Sequence, residues 1–97
     1  MEVRETREFA AWLRALRDPI GRRQIVSRIA RIATMGSFGD FASVGDGVSE
    51  LRIRVGPGYR VYYTLRGKDV VILLAGGDKG SQERDLQRAK EIAARVG

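Results

Sequence analysis

The segment VSELRIRVGPGYRVYYTL, which spans Val48–Leu65, decides the fold because it predicts a β-hairpin. Apolar and polar side chains alternate along Val48–Val55, as in a strand with one buried face. The sequence Gly56-Pro57-Gly58 favours a turn, after which Tyr59–Leu65 resumes the alternation. The polar face of this hairpin carries Glu50, Arg52, Arg54, Arg60, Tyr62 and Thr64.

A three-residue turn sets the register of this hairpin and brings its arginines together. In that register Arg54 lies opposite Arg60, and Arg52 lies beside Tyr62. Like charges directly opposite each other destabilise a ladder, by a few tenths of a kcal/mol up to about 1 kcal/mol. Two interpretations follow: the long arginine side chains diverge into solvent without a function, or an anion binds between them.

Length and composition predict a single domain over residues 1–97. A chain of 97 residues with 43% hydrophobic content can bury one modest core. Its apolar runs are all shorter than the roughly 20 residues that a membrane-spanning helix needs. Charged residues from Glu2 to Glu8 interrupt the beginning of the chain, so we expect no signal peptide. These features predict a cytoplasmic protein without a membrane partner.

The residue types exclude several kinds of chemistry. With no cysteine the chain cannot form disulfides or thiolate sites, and with no histidine it lacks the commonest general base and metal ligand. We therefore expect neither a metal nor another cofactor. The net charge is +6, and fifteen of the eighteen basic residues are arginine, which suits phosphate and other polyanions. The alternative is that the arginine content reflects only the base composition of a genome.

The residues before the hairpin predict a weak edge strand and two helices. Val3 is the only strongly apolar residue of Glu2–Glu5. Thr6 can cap a first helix, and Asp18-Pro19 is a typical start for a second that runs to about Thr34. The core stripe of the first helix comprises Phe9, Trp12, Leu13 and Leu16, and the second is expected to expose Arg22, Arg23, Arg28 and Arg31.

The glycine-rich segment Met35–Gly47 predicts a loop, and the residues after the hairpin predict a last strand and a last helix. Val70–Ala75 is apolar throughout, as expected for the centre of a sheet, and residues 76–80 should end that strand. Ser81 can cap the final helix. The expected fold is α+β, with a small antiparallel sheet packed by two N-terminal helices and a C-terminal helix. The hairpin arginines would lie on the face that the helices leave open, with Lys79 nearby.

Two blocks of the chain carry a resemblance to a known family. The chain resembles the addiction-module killer proteins in the blocks GDGVSELRIRVGPGYRVYY and LLAGGDKGSQERDLQRAK. The segments FAAWLRALRD and RIARI, which precede these blocks, add to the resemblance. These proteins form a HigB-like branch of the RelE/ParE toxin superfamily. The resemblance implies the RelE/ParE-like fold and a type II toxin that a protein antitoxin, usually of the helix-turn-helix type, neutralises. It also implies a metal-independent mRNA interferase, an endoribonuclease that cuts message on the ribosome and inhibits translation.

The resemblance also implies roles for individual residues. Arg60 stands where RelE-type toxins place an arginine at the scissile phosphate, while Arg52 and Arg54 match two basic positions on the preceding strand. RelE has a catalytic tyrosine early in its last helix, where this chain reads Glu83-Arg84-Asp85-Leu86. The predicted catalytic residues are Arg60, Arg52, Asp85 and Glu50, and the predicted RNA-binding residues are Arg54, Lys79, Arg84 and Tyr62.

The chemistry of RNA cleavage leaves the base and the target open. The reaction needs a base for the 2′-hydroxyl proton, cations for the charge on phosphorus and a donor for the leaving oxygen. Either Asp85 or Glu50 could be the base, but Asp85 could equally be a helix-dipole carboxylate and Glu50 an ion-pair partner of Arg52. Two other functions fit the resemblance or the charge: a ParE-like inhibitor of DNA gyrase, and a non-catalytic module that binds RNA or the ribosome.

Overall fold

The computed structural model describes residues 1–96 and contains one five-stranded sheet with three helices. The sheet order is β1-β5-β4-β3-β2, with β1 parallel to β5 and the other neighbours antiparallel. The strands are β1 (Glu2–Glu5), β2 (Phe41–Gly45), β3 (Val48–Ile53), β4 (Tyr59–Arg66) and β5 (Val70–Asp78). The helices are α1 (Arg7–Ala15), α2 (Pro19–Met35) and α3 (Gln82–Val96), and a short 3-10 turn (Lys79–Ser81) precedes α3. The expected α+β fold is confirmed.

The two N-terminal helices begin where the sequence predicted. The Thr6 hydroxyl accepts a hydrogen bond from the Phe9 amide, which caps α1. The Asp18 carboxylate accepts from the amides of Ile20 and Gly21, and Pro19 occupies the first turn of α2. The edge strand β1 is also confirmed, and it pairs with β5. No helix within residues 1–96 is long and apolar enough to cross a bilayer.

The two faces of the sheet are covered by different helices. The face under α1 and α2, which we call the closed face, is apolar and almost free of solvent; its buried strand residues are Leu51, Ile53, Tyr59, Val61, Tyr63, Val71 and Leu73, which pack against Phe9, Ile25 and Ile32. The opposite face, which we call the charged face, is covered by α3; its buried apolar residues are Val48, Tyr62, Ile72, Leu74 and Ala75, which pack against Ala89 and Ile92. Glu50, Arg52 and Arg60 also belong to the charged face, as strand alternation requires. The expectation that the helices leave this face open was therefore wrong.

The hairpin has the predicted faces but a different register. β3 ends at Ile53, so the loop to β4 has five residues instead of three, and Arg52 rather than Arg54 lies opposite Arg60. Within this loop the Gly58 amide donates to the Val55 carbonyl at 3.1 Å. The register moves by two residues, and because side chains alternate with a period of two, every side chain keeps its face.

Part of the predicted loop Met35–Gly47 is a strand. β2 pairs with β3, and the two are joined at Asp46-Gly47, both with positive φ. Aspartate followed by glycine is a strong signal for a two-residue hairpin turn, because both positions of that turn need positive φ. This signal was present in the sequence, but the surrounding glycines obscured it.

Three predictions about the end of the sheet were wrong. β4 is the middle strand rather than β5, because β1 adds to the far side of β5. β5 also continues through Gly76 and Gly77 to Asp78. The Asp78 carboxylate, not Ser81, caps the turn before α3, and Ser81 completes a capping box with it.

Candidate functional site

A carboxylate lies between the two arginines that face each other across β3 and β4. Arg52 and Arg60 are direct partners in the ladder, and Glu50 precedes Arg52 by two residues on the same face. The Nε of Arg52 donates to Glu50 Oε1 at 3.0 Å, and the Nε of Arg60 lies 3.7 Å from Glu50 Oε2. The Glu50 side chain is only 3% exposed. The protein therefore supplies its own anion to relieve the repulsion between these arginines.

The two halves of this Arg52–Glu50–Arg60 cluster are bound differently. Arg52 makes a hydrogen bond to Glu50, whereas Arg60 Nε and Glu50 Oε2 are both buried without a hydrogen-bond partner. The Arg60 side chain is 14% exposed and the Arg52 side chain 32%. Arg60 is thus held near Glu50 by charge rather than by a short hydrogen bond, and its Nε keeps an unused donor.

A second carboxylate, Asp40, lies at the outer edge of the cluster. Its Oδ2 accepts from Arg54 Nε at 2.7 Å, and its Oδ1 lies 3.8 Å from Arg52 Nη1. The hydrogen bond from Arg54, with the charges of Arg54 and Arg52, lowers the pKa of Asp40 below its usual value. Arg54 itself is 75% exposed. The sequence reasoning did not identify Asp40, which stands 14 residues from its partner Arg54 without any motif to mark it.

Arg28 fixes the backbone that carries both groups. Its guanidinium donates to the carbonyls of Arg52 at 2.7 Å, Phe38 at 2.7 Å and Asp40 at 3.1 Å. Burial is the main cause that lowers the pKa of Arg28. The prediction that Arg28 is solvated was wrong. Its spacing from Ile25 and Ile32 places it on the buried stripe of α2, and this spacing could have revealed it.

Asp85 approaches the same face from α3. A Cβ added to Gly77 would lie 1.7 Å from Asp85 Oδ2, so the carboxylate rests directly on the backbone of β5. The Ser81 hydroxyl donates a hydrogen bond to the same oxygen. Gly77 pairs with Arg60 in the β4–β5 ladder, and neighbouring strands are about 5 Å apart, so Asp85 lies one strand away from the Arg60 backbone. The Asp85 side chain is 13% exposed.

Tyr62 lies beneath α3 and has no exposed surface. Its hydroxyl donates to the Gln82 carbonyl at 3.4 Å. Burial raises the pKa of Tyr62 to about 12, the charges of Glu50 and Asp85 act in the same direction, and Arg60 opposes them. A ring that is 0% exposed cannot stack on a nucleobase. The predicted RNA contact of Tyr62 is therefore corrected to a packing role, because α3 covers the ring.

The remaining predicted residues are exposed around the cluster. Arg84 is 82% exposed on α3, and its Nε lies 3.9 Å from Asp85 Oδ1. Lys79 is exposed just after β5, where its Cβ would lie 3.7 Å from a Cβ added to Gly58 in the β3–β4 loop. Both side chains can reach a ligand without any change in the core. Within residues 1–96 no group of acidic residues is arranged to hold a metal ion.

The arrangement concentrates fixed positive charge beside a carboxylate. Arg52 and Arg60 are preorganised by Glu50, and Arg54 adds a third guanidinium at the open side. Guanidinium groups held in place in a partly dehydrated site stabilise an anion far better than mobile ones in water. The arrangement can bind an anion such as a phosphodiester, and Asp85 adds a carboxylate near it.

The sheet order and helix placement define a protein with the RelE fold. The structure matches a double arginine-to-alanine mutant of the Escherichia coli toxin RelE in its free state, with a TM-score of 0.67 over 90% of this chain and 95% of that chain. The sequence identity between the two is 16%.

The sequence places the chain in a particular family within this fold. Residues 11–96 match the family described as phage-derived protein Gp49-like (DUF891), so the chain belongs to that family. It is also 42% identical over 97 residues to an uncharacterized protein of Haemophilus influenzae, covering all of this chain and 97% of that protein.

Proposed function

We propose that this protein is the toxin of a type II toxin–antitoxin system, and that it cleaves mRNA on the ribosome without a metal ion. The observation that carries the proposal is the Arg52–Glu50–Arg60 cluster beside Asp85 on a RelE-type fold. A solved structure with this fold is named a toxin, and the HigB-like motifs quoted above support the same class. The protein would then be a cytoplasmic mRNA interferase.

The charges of the cluster match the needs of RNA cleavage. The 2′-oxygen of a ribose attacks the adjacent phosphorus, the bond to the 5′-oxygen breaks, and a 2′,3′-cyclic phosphate forms. Arg60 and Arg52 stabilise the additional negative charge on the phosphate oxygens. Arg54, Lys79 and Arg84 bind neighbouring phosphates. The leaving 5′-oxygen takes up one proton, while a base takes the proton of the 2′-hydroxyl.

Asp85 is the better of the two candidate bases. Both oxygens of Glu50 face arginine nitrogens, and the side chain is 3% exposed, so a ribose cannot approach it closely. Asp85 is 13% exposed, and only one of its oxygens accepts the Ser81 hydroxyl. We therefore assign Asp85 as the base and Glu50 as the residue that positions the two arginines.

A protein partner follows from the same surface. An unmasked cluster of arginines binds many polyanions, and an antitoxin that covers it would prevent this. We propose an antitoxin of the helix-turn-helix type whose acidic or apolar segment covers the arginines or packs on the helices. Ribosomes and mRNA are the proposed targets.

The proposal is tested by primer extension on a message under translation by purified ribosomes. Arg60→Lys retains the charge but loses the planar fork, and we expect it to reduce cleavage by about 100-fold, as for the loss of one transition-state donor. Arg66→Ala is the matched control, because Arg66 is an exposed arginine at the other end of the same strand. Circular dichroism would verify that both variants are folded.

The outcomes separate the candidate functions. Codon-related cuts that need the ribosome, fall by about 100-fold in Arg60→Lys and persist in Arg66→Ala would support the ribonuclease. Equal cleavage by all three proteins would contradict the role of Arg60. No cleavage by the wild-type protein would contradict the proposed activity, and inhibition of gyrase supercoiling would then identify the ParE-like alternative.

A further inference from the structure

We propose that the carboxylate of Asp40 occupies the position that an RNA phosphate takes on Arg54 and Arg52, so that binding exchanges one anion for the other. The inference rests on the proposed function for the identity of the anion. It concerns a single subsite beside the reacting phosphate, bounded by Arg54, Arg52 and the Asp40 side chain.

The contacts of Asp40 divide into a structural part and an exchangeable part. Its backbone carbonyl accepts from the Arg52 amide at 2.9 Å and from Arg28 Nη2 at 3.1 Å. Within residues 1–96 its side chain forms ion pairs only with the guanidinium groups of Arg54 and Arg52. The carboxylate can therefore leave these arginines while the backbone stays in place.

The two carboxylates of the cluster differ in access to solvent. Glu50 is 3% exposed and lies under the arginines, whereas the Asp40 side chain is 36% exposed and lies at their outer edge. A phosphate from solvent can reach the side of Arg54 that Asp40 holds, because Arg54 is 75% exposed. Exposed ion pairs have small net energies, so replacement by a phosphate is feasible.

The space between Arg54 and Arg52 fits a phosphodiester better than it fits the carboxylate of Asp40. The two oxygens of Asp40 reach different arginines, one at 2.7 Å and the other at 3.8 Å. A phosphate has two non-bridging oxygens in a similar relation, with a more extended charge, and can bridge the same two guanidinium groups. The phosphate would thus complete the longer of the two contacts.

The test is the affinity for a fluorescent oligouridylate with 2′-O-methyl riboses, which this chemistry cannot cleave. Asp40→Asn should tighten binding roughly two- to five-fold, the range set by the energy of one exposed ion pair. The gain should be largest at low salt, because salt screens exposed charges. Asp46→Asn removes the same charge from the β2–β3 turn, where Asp46 pairs with Lys90, and it should leave the affinity nearly unchanged.

A double-mutant cycle separates exchange from general repulsion. In an Arg54→Ala background, most of the gain from Asp40→Asn should disappear, because the contact that the carboxylate blocks is gone. An equal gain in both backgrounds, an equal gain from Asp46→Asn, or no binding by any of these proteins would overturn the inference. The cycle measures binding alone, so a wild-type protein that binds but does not cut message would overturn the proposed activity and leave this inference standing.

Discussion

The two faces of the sheet differ in the kind of side chain that they bury. The closed face buries apolar side chains under α1 and α2, and its polar atoms are few and paired, as in the hydrogen bond from the Tyr59 hydroxyl to Asp18 at 2.8 Å. The charged face buries a carboxylate, a phenol and part of two guanidinium groups beside the apolar contacts of α3. Burial of apolar surface stabilises a fold in proportion to area, whereas buried charges contribute little net stability. The closed face therefore provides much of the free energy of folding. This free energy offsets the cost of holding the partly buried arginines of the charged face in position.

The strongest test of this difference between the two faces is to remove the charge of Glu50. Glu50→Gln conserves shape but leaves Arg52 and Arg60 facing each other without their anion. We expect the free energy of unfolding to fall by about 3 kcal/mol, as when one partner of a buried pair is lost. Urea unfolding measures this change. Glu91→Gln, at an exposed position in the middle of α3, is the control and should change stability by less than about 0.5 kcal/mol. An unchanged unfolding midpoint in Glu50→Gln would mean that the arginines separate freely into solvent.

The adjacent glycines Gly76 and Gly77 of β5 lie on opposite faces of the sheet, so substitutions at these two positions compare the faces directly. A Cβ on Gly76 would lie 2.2 Å from the ring of Trp12, while a Cβ on Gly77 would displace the carboxylate of Asp85. The Trp12 ring is packed against Phe9 and Tyr59 and cannot move easily, so Gly76→Ala should cost about 1–3 kcal/mol of stability.

Gly77→Ala should act mainly on function. The Asp85 side chain can rotate away from a new methyl group, which retains the fold but removes the proposed base from the sheet. Urea unfolding and the cleavage assay together measure both variants. The comparison fails if Gly77→Ala unfolds the protein as strongly as Gly76→Ala, or if it cleaves message at the wild-type rate.

A smaller effect is expected at alkaline pH. Burial, followed by the hydrogen bond to Asp18, raises the pKa of Tyr59 to about 12, and burial raises the pKa of Tyr62 to about 12. Both are raised above the ordinary value near 10, so their contribution to stability is complete below pH 10 and is lost as the pH rises toward 12. During a pH titration, tyrosinate absorbance should rise only as the pH approaches 12, and the helical circular dichroism signal should be lost over the same pH range. Tyr59→Phe should weaken the pH dependence, and a titration near pH 10 in the folded state would contradict this assignment.

Patterns of period two and the helix caps were sufficient to predict the general fold. Thr6, Asp18 and Pro19 determine local structure through their own hydrogen bonds or ring, so these could be read directly. The faces of the hairpin were also correct, since alternation survives a shift of two residues. The register was not, because the length of the β3–β4 loop depends on where β3 stops pairing, and β3 ends at Ile53 through tertiary contacts such as that of Arg28 with the Arg52 carbonyl.

The sequence was sufficient to predict the arginines of the candidate site and the ion pair of Glu50 with Arg52, but not the positions of Asp40 and Asp85. Arg52 and Arg60 lie on the same face of the sheet, which the alternation along β3 and β4 reveals. The partnership of Asp40 with Arg54 depends on β2, the strand hidden among glycines. The position of Asp85 over Gly77 depends on the angle at which α3 crosses the sheet, which no local pattern contains.

The parallel pairing of β1 with β5 has a consequence for the order of events during synthesis. Glu2–Glu5 is made first, but its partners Val70–Leu73 are made only after most of the chain. Contacts between residues so far apart in sequence slow folding, because a long loop must close before they form. While the ribosome is still translating the first two thirds of the message, the nascent chain has no complete sheet. The pairing of β1 with β5 is therefore completed only near the end of translation, later than the β3–β4 hairpin that holds Arg52 and Arg60 can form.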